Sequence, residues 1–506
     1  MRPPDSLPRT AVPDEADRRS GRRRLGVAAV QGVAWMGTAQ GVRIPLQIGI
    51  FAIMARMLQP EDFGLFGMVA LLVDLLYVVP GFGVTATIVS DRDLDEEDVS
   101  TLFWWQTGVG VLMTAVTILA APLVSELYGE PRLTGLTKLL ALSFLMAPPG
   151  MVAMGWLEKR LAFSRLAMLE VSALALAGAV SVGMALRGWG AVSLVLFPMA
   201  TLAFQSVFAL VAARWVPRFC FRWSVVSRAM GFGVGFTGVQ VLYYLTRQLD
   251  SVLVGRYLGA AMLGYYTLAY RFILHVTHAV AGVVVRVMFP IIASIQNRPD
   301  HFREAYLRAL SGVATLLFPV LSAVFVSAGD IVRIVFGDAW QPLVPLVRIF
   351  CVIGMFQCTM ATTGPVFWAR RRMGLLLVIM VVAVPVVGIP VGVGLRWGVG
   401  GVAVALLGAS VVVWTMTHGV ANRILGLSPR RFFRALVWPA VFMVTVGIVS
   451  AAVQQVLGTG EARGLDELVL VVGMGLAAGV AVLWFGRAPV IADVVALGRG
   501  VLRGQG

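Results

Sequence analysis

Arg271, His275, His278, Gly282 and Arg286 recur at steps of four, three, four and four inside an apolar stretch, which sets all five on one helix face. Thr267 extends that stripe by one more turn. A second polar face comes from Gln240, Tyr244, Arg247 and Ser251, with Asp250 about 60° to one side of Arg247. Gln40, Arg43 and Gln47 make a third. A charge at the centre of a lipid-embedded helix costs at least about 2.5–3.5 kcal/mol, so such residues face a partner or a water-filled cavity. Guanidinium stays ionised under those conditions, and its forked donors match phosphate oxygens. Gln and Tyr side chains add neutral hydrogen-bonding groups and flat faces. The candidate cavity residues are therefore Arg43, Arg247, Arg271, His275, His278, Arg286, Gln40, Gln47, Gln240 and Tyr244, with Tyr243 a further candidate. Blander readings stand beside these: Arg286 snorkelling to headgroups, and Arg247 paired one turn away with Asp250. Asp74 would neutralise Arg43 or Arg247, or take a proton during transport. Asp74 and Asp250 are thus charge-pair or coupling candidates, and Glu170 is a weaker one of the same kind.

The elements that must carry these faces follow from composition. Of 506 residues, 58% are hydrophobic and 13% charged, against about 45–50% and about 25% in soluble domains. A soluble enzyme, a disulfide scaffold and a disordered chain are all excluded. Apolar runs near the ~20 residues that a bilayer requires recur from end to end. They predict an all-α polytopic membrane protein of about fourteen transmembrane helices. The net charge of +15 does not point to nucleic acid, because the basic residues fall in the short joins between runs. That threading sets 28 of the 41 Lys and Arg on one side and 8 on the other, which predicts both termini in the cytoplasm. The basic N-terminal arm lacks a small-residue cleavage site, so the first helix is expected to be retained.

Several motifs carry little. Gly233, Gly235 and Gly238 spell GxGxxG without a βαβ unit, which favours helix packing or flexure over a nucleotide. His275 and His278 lack companions at metal-ligand spacing, and Cys220, Cys351 and Cys358 read as packing residues. No catalytic residue, metal or cofactor is expected.

A shift of 200 aligns Gln40 with Gln240, Arg56 with Arg256, Leu58 with Leu258 and Gly64 with Gly264. A shift of 208 sets Tyr128-Gly129-Glu130 against Phe336-Gly337-Asp338. Both suggest two six-helix lobes repeated in parallel about an axis along the membrane normal. The expected division is a cytoplasmic basic arm 1–24, an N-terminal lobe 25–216, a C-terminal lobe 217–426, and two added helices with a cytoplasmic tail at 427–506.

The stretches from Ala55 to Gly64, Gly255 to Gly264 with Tyr265, Tyr266 and Leu268, Phe289-Pro290 with Ser294 and Gln296, and Phe336 to Trp340 resemble the Wzx-like polysaccharide flippases of the multidrug/oligosaccharidyl-lipid/polysaccharide exporter superfamily. The resemblance covers nearly the whole chain. It implies a multi-pass protein of the bacterial inner membrane that moves undecaprenyl-diphosphate-linked oligosaccharide to the periplasmic leaflet, with two six-helix lobes around a central cavity. Expected partners are that lipid-linked oligosaccharide, membrane lipids, polysaccharide assembly proteins, and a proton or sodium ion if one drives transport. The rivals are a small-molecule, multidrug-type exporter and a polyprenyl-dependent membrane glycosyltransferase. The last would draw on Glu61 and Asp62, which otherwise read as a helix N-terminus preference.

Overall fold

The computed structural model describes residues 15–78, 84, 87, 88, 94–275, 277, 299–457 and 464–485. Among them there is no strand. Nine helical stretches are long and apolar enough to cross a membrane.

The chain opens with α1 (Glu15–Met57) and α2 (Pro60–Val78). Next come α3 (Glu96–Tyr128), α4 (Arg132–Ala141), α5 (Ser143–Lys159), α6 (Phe163–Leu186) and α7 (Ala191–Ala213). The helix α8 (Trp223–Tyr270) passes into a π-helical turn at Arg271–His275. Then follow α9 (Pro299–Val326), α10 (Ala328–Val335), a 3-10 turn at Asp338–Leu343, α11 (Val344–Met360) and α12 (Gly364–Ala369). The described chain closes with α13 (Met373–Gly394), α14 (Gly398–Leu425), α15 (Pro429–Val456) and α16 (Leu465–Phe485).

Local signals explain the ends. Asp95 caps α3 through a capping box: its Oδ1 accepts from the Asp98 N–H at 2.7 Å, while Asp98 accepts in return from the Asp95 N–H. Gly129 ends the same helix in the left-handed conformation. Ser428, followed by Pro429 at the first helical position, starts α15. Two expected spans, Val225–Leu258 and Met262–Ile295, meet inside α8, where only Gly259, with φ 84°, breaks the helix. The expected span Leu133–Trp156 is divided into α4 and α5, and Tyr306–Phe336 into α9 and α10.

Loops expected on one side of the membrane meet one another. At the arginine-poor end, Arg132 pairs with Glu61 and Glu130, and Arg56 donates to the Ile334 and Val335 carbonyls. At the arginine-rich end, Arg222 binds Asp95, Glu97 and Asp98, Lys159 donates to Leu94 O, and Arg303 donates to Leu425 O.

The core is distributed unevenly along the membrane normal. One cluster spans α1 to α14, from Phe51, Phe63 and Tyr128 to Tyr266, Trp340 and Phe350. At the arginine-rich end there are instead two clusters. One holds Leu102, Trp156 and Leu166 with Val225 and Ala229; the other holds Phe302, Tyr306, Phe367 and Phe432. Two helix bundles thus share one core at the arginine-poor end and keep separate cores at the other. We call the α1–α7 group the first bundle and the α8–α14 group the second. The remaining pair packs through α15 onto α9.

Candidate functional site

Two cavities flank α8. The first, about 260 Å3, lies between the bundles. The first bundle supplies Gln47 and Phe51 of α1 and Gly67 and Leu71 of α2; α8 supplies Gln248, Ser251, Thr267 and Tyr270, and Arg271 follows them. The Arg271 guanidinium stands 5.0 Å from the Phe66 ring centre and 6.0 Å from that of Phe51. Aromatic faces hold it by cation–π attraction. Among the described residues no carboxylate pairs with it. It sits in a π-helical turn, a local irregularity frequent at functional sites.

The second cavity, about 320 Å3, lies inside the second bundle. Arg247, Asp250, Tyr270 and Gln357 form its main polar part, Thr363, Ser410 and Thr417 add hydroxyls, and side chains such as Ile379, Ala383, Val387 and Leu406 form its apolar walls. Arg247 donates to the Tyr270 hydroxyl at 2.9 Å and to Gln357 Oε1 at 3.4 Å. Asp250 is buried, and its carboxylate accepts from Tyr266 OH at 2.5 Å and from the Ser251 N–H at 2.8 Å. Consecutive residues of α8 therefore serve two cavities: Gln248 and Ser251 face the first, Arg247 and Asp250 the second. Tyr270 borders both.

The expected residues thus separate into groups. Gln47 and Arg271 line the space between the bundles, and Arg247 and Asp250 the space within the second. Arg43 forms an ion pair with Glu170 at 2.7 Å inside the first bundle, between α1 and α6. Tyr244 bridges the bundles, its hydroxyl donating to Leu71 O at 2.6 Å. Gln40 is half-buried on α1. The side chains of Asp74, Gln240, Tyr243 and His275 lie outside the described residues, as do His278 and Arg286 altogether. Glu61 and Asp62 occupy the first turn of α2, Glu61 bound to Arg132 and Asp62 accepting from the Gln59 N–H. Sequence reasoning passed over Gln248, Gln357 and Tyr270. Each is a polar group in an apolar run, a signal that could have found them.

The bundles touch most closely where α2 meets α8. A Cβ on Gly64 would overlap the Ala260 carbonyl, and one on Gly264 would overlap the Pro60 carbonyl. Just beyond, Trp340 is fully buried and donates from Nε1 to Ala55 O at 2.7 Å, its ring edge-on to Phe63 at 5.1 Å. The space between the bundles is thereby closed at the arginine-poor end.

The family described as polysaccharide biosynthesis protein matches residues 53–345, the stretch that holds this closure, Arg247 and Arg271. The chain belongs to that family. One relative, the lipopolysaccharide biosynthesis protein WzxC of Escherichia coli (strain K12), is 26% identical over 85% of this chain and 88% of its own length. The fold of this polysaccharide biosynthesis protein is similar to that of the lipid II flippase MurJ in an inward closed conformation. The TM-score is 0.68 at 12% identity, over 90% of this chain and 99% of that one. It is also similar to an inward-facing multidrug resistance transporter of the MATE family in the MOP superfamily. There the TM-score is 0.62 at 15% identity, over 77% of this chain and 94% of that one. The protein is a multi-pass membrane transporter of polysaccharide biosynthesis.

Proposed function

We propose that the protein is an inner-membrane flippase that carries undecaprenyl-diphosphate-linked oligosaccharide from the cytoplasmic to the periplasmic leaflet by alternating access. The observation that carries this reading is Arg271: a guanidinium in the cavity between the bundles, held by rings and, among the described residues, by no carboxylate. An anionic ligand repays the cost of keeping that charge within a membrane. A phosphate does so with forked hydrogen bonds. Gln47, Gln248, Ser251 and Thr267 supply the neutral donors and acceptors a sugar needs. WzxC, named for lipopolysaccharide biosynthesis, and the lipid II flippase MurJ support a lipid-linked glycan as the cargo class.

Alternating access rests on the separate cores at the arginine-rich end and the shared core at the other. We take the arginine-rich end as cytoplasmic, with both termini there. The described state would then receive cargo from the cytoplasm. The reciprocal contacts of Pro60, Gly64, Ala260 and Gly264 support two parallel repeats, because residues related by the shift of 200 meet across the same point. We assign Arg247 to the cargo and Asp250, with Asp74, to charge balance or ion coupling; Arg43 is balanced by Glu170.

The test is deletion of the gene followed by mass spectrometry of lipid-linked glycans. The expected result is accumulation of an undecaprenyl-diphosphate glycan, relieved by the wild-type chain and not by Arg271→Ala. An unchanged lipid-linked pool would refute the reading. A small-molecule exporter would leave that pool unchanged and alter drug sensitivity instead.

A further inference from the structure

We propose that the cavity inside the second bundle receives the first isoprene units of the carrier lipid, while the headgroup occupies the neighbouring cavity between the bundles. The inference rests on the cargo reading above and adds a location for the apolar part of that cargo.

Three features of the cavity lead to it. Its walls are mostly apolar over α13 and α14, from Leu376, Ile379 and Met380 to Val387, Leu406 and Val413, with Ser410 and Thr417 of α14 and Thr363 as scattered hydroxyls among them. Its volume of about 320 Å3 fits a short length of hydrocarbon rather than a whole lipid. Its polar part carries Arg247, whose guanidinium is oriented by Tyr270 and Gln357. A largely apolar wall with Arg247 at its margin, beside an Asp250 carboxylate already engaged by the Tyr266 hydroxyl and the Ser251 N–H, is complementary to an apolar chain ending in phosphate.

The position relative to the first cavity selects the cargo over an ordinary phospholipid. Only α8 separates the two spaces, and Tyr270 borders both. A phosphate near that residue would lie between Arg271 and Arg247, with the glycan on one side of α8 and the start of the chain on the other. Met360 and Met380 give the walls a shape that adapts to a branched chain.

The purified full-length chain is to be tested by native mass spectrometry with undecaprenyl phosphate as the probe and phosphatidylglycerol as the competitor. Ala383→Phe fills the cavity from α13, and Val387→Phe does so one turn further on. The expected result is at least ten-fold weaker binding of undecaprenyl phosphate by either variant whose thermal unfolding matches wild type, with phosphatidylglycerol a poor competitor. Wild-type affinity in a folded cavity-filled variant would overturn the assignment, as would equal competition by phosphatidylglycerol; both leave the cargo reading standing. Failure of the wild-type chain to bind undecaprenyl phosphate at all would overturn the cargo reading with it.

Discussion

Gly64 and Gly264 meet across the junction of the two bundles, each pressed so close to the opposite backbone that neither has room for a side chain. Gly64 faces Ala260, and Gly264 faces Pro60 and the Gly64 N–H. Contacts exchanged in this reciprocal way are what a two-fold axis generates when it passes through a contact point. Small residues let helix backbones approach to that distance.

Gly64→Ala and Gly264→Ala should each push the bundles apart at this point. We expect transport to fall at least ten-fold in either variant, with normal membrane insertion. With Gln248→Cys as the reporter, in the cavity behind the closure, the thiol should react with a membrane-impermeant maleimide added from the periplasmic side in the alanine variants and remain protected when Gly64 and Gly264 are intact. The reactivity of that cysteine checks the seal independently of flux.

Arg271→Ala should abolish complementation, and Arg271→Lys should restore only part of it. An ammonium keeps the charge and loses both the fork and the stacking on Phe66. Counting lipid-linked glycan per cell in the two strains checks the order Arg, Lys, Ala. Equal activity for Arg and Lys would mean that charge alone matters.

The Arg43 and Glu170 pair should behave as a coupled unit. Its side chains are 33% and 14% exposed, so removing one partner strands a poorly solvated charge. Arg43→Ala and Glu170→Ala should each cost about 1–3 kcal/mol, and the double variant less than the sum. Thermal unfolding in detergent, arranged as a double-mutant cycle, measures the difference.

The clamp at the arginine-rich end should be sensitive to acid. The Asp95 carboxyl is held below its ordinary value of 3.8 by the Asp98 backbone N–H, with Arg222 adding to the effect. A depressed carboxylate stabilises the fold while ionised, and that contribution is lost as pH falls below the ordinary carboxylate range. The unfolding temperature should therefore drop as pH falls below the ordinary carboxyl value of 3.8, and Asp95→Asn should flatten that part of the profile.

Much of this was legible in the sequence because the bilayer leaves few choices. Apolar runs mark most of the long helices, and the arginine-rich joins group the loops that meet at one end of the structure. The period-based grouping placed Gln47 and Arg271 as cavity candidates, and both line the space between the bundles. Which way the polar stripes turn was not legible, because α8 is wetted on two faces. Period alone grouped Arg247 with Ser251, whereas Arg247 belongs to the space within the second bundle and Ser251 to the space between bundles. The pairing of Arg43 with Glu170 depends on the approach of α1 and α6 across 127 residues, which no local spacing encodes. The shift of 200 aligned Gly64 with Gly264, yet only the packing reveals that they touch.

The strap joining the bundles has a mechanical consequence. Arg222 is bound to Asp95, Glu97 and Asp98, the Arg218 N–H donates to Ser100, and Val225 and Ala229 are embedded with Leu102 and Trp156. The opening turns of α8 therefore travel with α3 and α5, although the rest of that helix serves the other bundle. Any swivel between the halves must be taken up beyond Ala229, where Gly231, Gly233, Gly235 and Gly238 follow within nine residues. Each glycine weakens a helix by about 1 kcal/mol relative to alanine. The pivot of the transporter is then a soft length of a continuous rod, and the covalent connector beside it serves as its mounting.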